Sequence, residues 1–432
     1  MAHMKLLLSG DIHIGRASTR VDEPRAHRAA EAWGAMCELA IRQGVRAVCL
    51  SGDITDQDNR FWEAIGPLEE GIAQLAEHDI PTLAVSGNHD HDVLVRLADN
   101  LPPEHFVLLG RDGQWQRHTL TDDAGRSELH VDGWSFPQKR VTRDPLTSYD
   151  LPRPDDAPVM GMVHGDLDAA SSPYGPLSSD RLASVGPDAW LLGHIHTPAL
   201  RSDRSCWLLY PGSPQALDPD ETGSHGPWLA ELVDGHLAPP EQIPYSSVRY
   251  EGLEIDLSDC EDIDSAGSTI LERIRDEADT LIETGGDRLT HLLLRPRLVG
   301  RTPVASTLQR DPNALRTTLS DFSLTQGQAT VSVEPPKLAV LPVIDVGQYA
   351  RQASAAGAAA RVLEELDAGG ELSEATGKLL DRTTRALRQE ATSREYTGID
   401  RLEIDGDRAR QTLRSRTMAL LTELVRQQEA GR

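Results

Sequence analysis

Five short apolar runs in the first half of the chain each stop at a glycine within two residues of a histidine or carboxylate, and that repetition constrains the fold more than any other feature. "MKLLLSG" (4–10), "RAVCLSG" (46–52), "IPTLAVSG" (80–87), "APVMGMVHG" (157–165) and "AWLLGHIH" (189–196) are uninterrupted and bounded by turn residues, so they read as buried strands. Amphipathic segments at 24–43 and 60–78 predict helices between them, the first entered at Pro24 and closed before Gly44. Strands alternating with helices predict an α/β domain.

Residues 106–136 carry "FVLLG", "WQRHTL" and "ELHVDGWSF", which predict a run of antiparallel strands. "SCWLLYPGSP" and "GPWLAELVDG" add two more, so a second sheet should pack on the first. Around 243–250 the pattern changes to a small β-α-β-α-β unit, with a helix near 262–284 and a short one near 313–320. Beyond Pro342 the pattern is helical, and 406–428 carries an apolar stripe at Leu413, Leu420, Leu421 and Leu424 that suits core packing or partner docking. "SAAGAAA" (354–360) is low in complexity and compatible with a helix start. The predicted architecture is therefore α/β, with two packed β-sheets flanked by helices over 4–245, a small α/β capping domain over 246–342 and a C-terminal helical region over 343–432.

The strand ends carry the chemistry. Asp11 and His13 follow the first run, Asp53 the second, Asn88 and His89 the third, His164 the fourth, and His194 and His196 the fifth. On an extended backbone, side chains two apart face the same way, so Asp11/His13 and His194/His196 can each reach one ion. A lone D-x-H is ordinarily a turn, and H-x-H alone can sit on a surface strand. Five such ends in order have one common explanation, because ligands of open α/β sheets bind outside the carboxyl ends of the strands. They converge on a metal centre. The remaining histidines, including His27, His225 and His291, lack this context and read as surface or packing residues.

The series D-x-H, G-D, G-N-H-D, H, G-H-x-H resembles the calcineurin-like metallophosphoesterase superfamily over residues 4–235. The following "YPGSPQALDPDETGSHGPWLAEL" and some 190 further residues are similar to SbcD-type DNA-repair exonucleases, in a YhaO-like bacterial branch. The resemblance implies a metallophosphoesterase sandwich with one ion held by Asp11, His13 and His196, a second by Asn88, His164 and His194, and Asp53 bridging them. It favours Mn²⁺, while three oxygen and four imidazole ligands also suit Fe or Zn. Two such ions about 4 Å apart clamp a phosphate and activate a bridging hydroxide. His89, outside the ligand set, is then placed as general acid; Asp90 holds a neighbouring histidine or the turn, and the role of Asp56 is open.

The implied function is a metal-dependent DNA exo- or endonuclease in DNA repair, in the cytoplasm. A phosphomonoesterase or cyclic-nucleotide phosphodiesterase on the same core is the alternative, and an inactive scaffold is the alternative from another class. Lys139, Arg140 and Arg143 follow Trp134 and Phe136, which suits a single strand gripped by stacking and charge, although a buried strand followed by a solvated loop is the more ordinary reading. A net charge of −25 argues against indiscriminate DNA binding over the whole surface. A coiled-coil ABC-type ATPase of the SbcC class, implied by the resemblance as a partner docked on the C-terminal helical region 343–432, would supply much of that grip, and a homodimer is compatible. No apolar run approaches the roughly 18 residues of a membrane span. Cys37, Cys49, Cys206 and Cys260 show no paired spacing, which predicts free thiols in a reducing compartment.

Overall fold

Side chains that alternate between two apolar clusters along continuously buried strands build the core. The computed structural model describes residues 3–22, 24–56, 64–122, 124–169, 171–203, 206–311, 314–315, 324–326, 329–391 and 405–430. In β1 (His3–Ser9), Met4, Leu6 and Leu8 face one apolar cluster and Leu7 the other, as a period of two demands. Strands β2 (Ala47–Leu50) and β3 (Thr82–Ala84) follow the same rule, Cys49 and Leu83 joining one cluster, Val48 and Ala84 the other.

The first sheet runs β1, β2, β3 and then β4 (Phe106–Leu108), all parallel. The second contains β5 (Gln116–Thr121), β6 (Ser127–Trp134), β7 (Val159–His164), β8 (Ala189–Gly193), β9 (Ala199–Asp203) and β10 (Cys206–Tyr210), in the order β5-β6-β7-β8-β10-β9. Strand β11 (Trp228–Val233) returns antiparallel to β1 and carries the short β12 (His236–Leu237) and β13 (Glu241–Gln242). Met160, Met162, Leu191 and Leu209 of the second sheet close over Leu6, Leu8, Cys49 and Leu83 of the first. Two packed sheets are thus present.

Two expectations change. The segment 106–136 is not one antiparallel run: β4 completes the first sheet in parallel, only β5 and β6 pair antiparallel, and β6 pairs β7 in parallel. The run "GPWLAELVDG", expected in the second sheet, is β11 of the first, and of the five strand ends three belong to the first sheet and two to the second. Apolar runs report burial, and burial is equal in either sheet.

Helices α1 (Ala29–Gln43), α2 (Ile65–Ala76) and α3 (Val93–Asn100) cover the first sheet through Trp33, Met36, Leu68, Ile72 and Leu94. α1 begins later than its sequence suggests. Pro24–Ala26 forms a separate turn, and Arg28 stays extended because Ala17 and Arg28 pair and Ala29 N bonds Arg16 O at 3.0 Å. Gly44 closes α1 at φ 61°, as expected. The start of the predicted 60–78 helix lies outside the described residues. The outer face of the second sheet, with Trp190, Leu192 and Phe136, is covered by the short α4 (Ser179–Leu182) and by loops.

The strand–helix alternation after residue 246 is present as β14 (Val248–Asp256), α5 (Ile263–Thr284), β15 (His291–Val299), α6 (Ala305–Arg310), β16 (Leu324–Gln326), β17 (Ala329–Val333) and β18 (Lys337–Leu338). The short helix expected near 313–320 falls largely outside the described residues. The chain divides into two compact units: Met1–Glu254 with Leu271–Arg297 and Thr318–Lys337, and Ile255–Ile270 with Leu298–Thr317 and Leu338–Arg432.

In the second unit, α7 (Val346–Ala350), α8 (Ala355–Ala368), α9 (Glu374–Ala391) and α10 (Gly406–Ala430) follow one another. Ser354 caps α8 by accepting from Gly357 N, which makes "SAAGAAA" a helix start. Leu421 and Val425 of α10 bury against Ala356, Ala360 and Leu363 of α8. The stripe is therefore core here: Leu413 and Leu421 are buried, and of the four leucines only Leu420 is exposed, at 54%. All four cysteines are buried and free. Among the described residues no helix is long and apolar enough to cross a membrane.

Candidate metal centre

The loops leaving β1 and β2 run side by side, with Asp11 N bonded to Gly52 O (2.9 Å), His13 N to Asp53 O (3.0 Å) and Ile14 N to Ile54 O (2.8 Å). Asp11, His13 and Asp53 sit at φ 48°, 52° and 48°, and His194 at φ 104°. Non-glycine residues rarely adopt such angles, and they concentrate where function requires a particular side-chain direction. This corrects the reason for the two-residue spacing. Asp11 and His13 are not on extended chain; Ile12 turns into the core between two left-handed residues.

Three groups of ligand-capable atoms each fall within 4.8 Å of one another: Asp11, His13 and His196; Asp53, His164 and His194; and His13, Asp56 and His89. Asn88 Oδ1 stands 3.2 Å from His164 Nε2. Every residue singled out at a strand end therefore lies in one neighbourhood, all within the first unit. His194 N donates to both oxygens of Asp11 (3.0 Å each), tying the second sheet's loop to the first. His89 N donates to Asp53 Oδ1 at 2.8 Å, and the His89 ring meets His13 edge-on at 4.9 Å.

The donor set fits cations. His164 Nδ1 lies 3.0 Å from Ser51 O, a pure acceptor, so that nitrogen carries the hydrogen. Its Nε2 then faces Asn88 Oδ1 and, at 3.4 Å, Asp53 Oδ2, oxygens with lone pairs of their own. Only a proton or a metal ion between them makes that arrangement favourable. His13 Nε2 and His196 Nε2 likewise face each other at 3.0 Å beside the Asp11 carboxylate. Without cations, protons do the compensating. Burial opposes charge on His164, yet Asp53, then Asp11, raise it to about 9. Burial also opposes charge on Asp53, but His164, His13 and His89 hold it far below the usual carboxylate range. Burial pushes His89 down against the pull of Asp53 and Asp56.

Asp90 does not reach a histidine. Its carboxylate accepts from Ile54 N (2.6 Å) and Gly87 N (2.7 Å), holding the turn that presents Asn88 and His89. Asp56 Oδ1 lies 3.5 Å from His13 Nδ1 and 3.7 Å from His89 Nδ1, between the two rings.

Three neighbours escaped sequence reasoning. Glu221 Oε1 lies 2.7 Å from His196 Nδ1, Asp166 Oδ1 lies 3.4 Å from His194 Nε2, and the Tyr174 ring lies 5.1 Å from that of His194. Asp166 follows His164 by two in "HGD", a spacing that could have signalled it; Glu221 and Tyr174 carry no local signal.

Lys139, Arg140 and Arg143 are exposed. Their segment is laced to that of Tyr174 by Val141 N to Pro173 O (2.8 Å) and Gly175 N to Val141 O (2.7 Å). Of the two readings of Trp134 and Phe136 the buried strand holds, because they are 4% and 2% exposed and pack on each other, which leaves no stacking platform. Phe136 also meets His164 edge-on at 5.4 Å, so it supports the centre from beneath.

Comparison with known proteins places this geometry. Residues 4–198 match the family described as calcineurin-like phosphoesterase, and residues 250–340 the middle domain of metallophosphoesterase YhaO. Uncharacterized metallophosphoesterase YhaO of Bacillus subtilis (strain 168) is 27% identical over 267 residues, 60% of this chain and 62% of that protein. The chain thus matches less than two thirds of that relative's length. DNA double-strand break repair protein Mre11 of Aeropyrum pernix is 23% identical over 279 residues, covering 62% and 68%. A dimetal phosphatase from Danio rerio superposes on 56% of this chain and 99% of its own, at 13% identity and a TM-score of 0.36. Residues 4–198 thus form a calcineurin-like phosphoesterase domain, which marks the chain as a metal-dependent hydrolase, and residues 250–340 are similar to the YhaO middle domain.

Proposed function

We propose that this metallophosphoesterase is a two-metal phosphodiesterase that cleaves DNA, exo- or endonucleolytically, in repair. The observation that carries the reading is the pair of adjacent donor groups, Asp11/His13/His196 and Asp53/His164/His194, with His89 beside them. Asp11, His13 and His196 would hold one ion, Asn88, His164 and His194 the other, and Asp53 both; Mn²⁺ suits the mixture, with Fe or Zn as alternatives. Bound there, the two cations would supply charge neutralisation for the phosphate and a nucleophile at neutral pH.

The chain's own groups supply the rest. His89, a third exposed, can reach a bound phosphate from outside the ligand set. From there it would hand a proton to the leaving oxygen. Asp53 is oriented by the backbone N–H of His89, so ligand and acid are placed by one turn. Lys139, Arg140 and Arg143 offer a short cationic track for a sugar–phosphate backbone. They are few against a net charge of −25, which supports a coiled-coil ATPase of the SbcC class as the partner that supplies further grip. The DNA reading draws on the name of the Mre11 relative and on a middle domain that a phosphomonoesterase core does not need.

The test is a digestion panel with Mn²⁺: labelled single-stranded and duplex DNA, RNA, mononucleotides and bis(p-nitrophenyl) phosphate, with Asp53→Asn as control. Polynucleotide cleavage that Asp53→Asn abolishes supports the reading. Turnover of mononucleotides alone would shift it to a phosphomonoesterase, and turnover of nothing to a scaffold.

A further inference from the structure

We infer that Glu221 is a positioning residue of the metal centre, one that holds His196 in the tautomer whose Nε2 is available to the ion shared with Asp11 and His13. The inference rests on the two-metal reading above. A carboxylate only accepts hydrogen bonds, so the 2.7 Å contact between Glu221 Oε1 and His196 Nδ1 puts the hydrogen on Nδ1. The lone pair is then on Nε2, the atom that stands 3.0 Å from His13 Nε2.

Glu221 is itself held. Its Oε2 accepts from Leu217 N at 2.7 Å and from Ser213 Oγ at 2.9 Å. Ser213 N bonds His196 O at 3.0 Å, so one loop grips the histidine by main chain and by side chain. That loop is anchored in turn: Ala216 N bonds Ser246 Oγ (3.1 Å), Gln215 Oε1 accepts from Ser247 N (3.2 Å), and Arg295 Nη1 donates to Pro219 O (2.6 Å). Glu221 is 7% exposed, and a negative charge so buried beside an imidazole makes the ring a stronger donor to a cation.

The effect is confined to one ion. His194, in the other group, has Asp166 as its carboxylate neighbour at 3.4 Å, on a different loop. Removing Glu221 therefore weakens one of two sites, whereas a loop that simply unravels would weaken both.

The experiment is calorimetric titration of the metal-free full-length chain with Mn²⁺, for wild type, Glu221→Gln and Glu221→Ala, with melting of each metal-free protein alongside. Glu221→Ala is expected to keep one ion at wild-type affinity and to bind the other roughly 10- to 100-fold more weakly. Glu221→Gln, which still accepts from Nδ1–H but lacks the charge, should fall between. Two unchanged ions in Glu221→Ala, or an equal loss at both, would overturn the positioning role. Fewer than two ions in the wild type would instead overturn the two-metal reading itself.

Discussion

Replacing Gly87 by alanine disturbs the metal centre without altering a polar group. A Cβ at this position would overlap Asp53 Oδ1 and stand 2.8 Å from both Asp53 Cγ and the Asp53 backbone N. Carbon contacts settle near 3.5–4.0 Å, so about 1 Å of movement is required. Rotating the Asp53 side chain does not suffice, because its backbone is among the obstructing atoms. That backbone is not free to shift either: Asp53 O accepts from His13 N at 3.0 Å, and Asp53 already sits at φ 48°. The strain should cost about 1–3 kcal/mol of stability, as overpacking of a dense interior does. A 1 Å misplacement of a reacting constellation costs on the order of 10²-fold in rate. The assay is hydrolysis of bis(p-nitrophenyl) phosphate with Mn²⁺, with metal content and melting temperature measured on the same samples. Gly34 of α1 is the control, since its Cβ would meet nothing within 4 Å. Gly34→Ala should leave activity unchanged and add roughly 0.5–1 kcal/mol of stability. Wild-type turnover with full metal content in Gly87→Ala would refute the argument, because Asp53 would then not be needed where it lies.

His89→Ala should retain its metal while turnover falls by roughly 10²–10⁴-fold; metal lost together with activity would make His89 a ligand rather than an acid. In the metal-free protein, the raised pKa of His164, about 9, contributes stability that is whole below its ordinary value near 6.5 and lost as pH climbs through 9. The depressed Asp53 pKa makes the same pairing fail as pH drops below the ordinary carboxylate range, so in EDTA-treated protein this pair's contribution to melting is greatest between about pH 4 and 6.5 and fades toward pH 9.5. A flat melting profile from pH 6.5 to 9.5 would refute this. Leu421→Ala removes a fully buried side chain between α10 and α8 and should cost about 2–5 kcal/mol in the second unit. Hydrolysis of the small diester should be unaffected; its loss in a folded variant would refute the separation of the helices from the chemistry.

The amino-acid pattern alone determined which segments are buried strands, which are helices, and which five strand ends carry ligand-capable side chains. Those properties are local. Alternation along β1 sets which face Leu7 and Leu8 take, and Gly44 stops α1 whatever the rest of the chain does. Tertiary structure decided what depends on partners distant in sequence. A run such as that of β7 is equally apolar in either sheet, so its membership of the second was settled only by pairing with β6 and β8. Trp134 and Phe136 beside Lys139 suit a nucleic-acid platform by composition; the outer face of the second sheet buries them instead. The stripe of α10 carries the same helical period whether it meets a partner or α8, and α8 fills it. The contacts that close the metal centre span most of the domain: His13 to His196 and Asp11 to His194 are each 183 residues apart. No local spacing encodes the 25 residues between His196 and Glu221, because a hydrogen bond across a folded loop leaves no period in the chain that makes it.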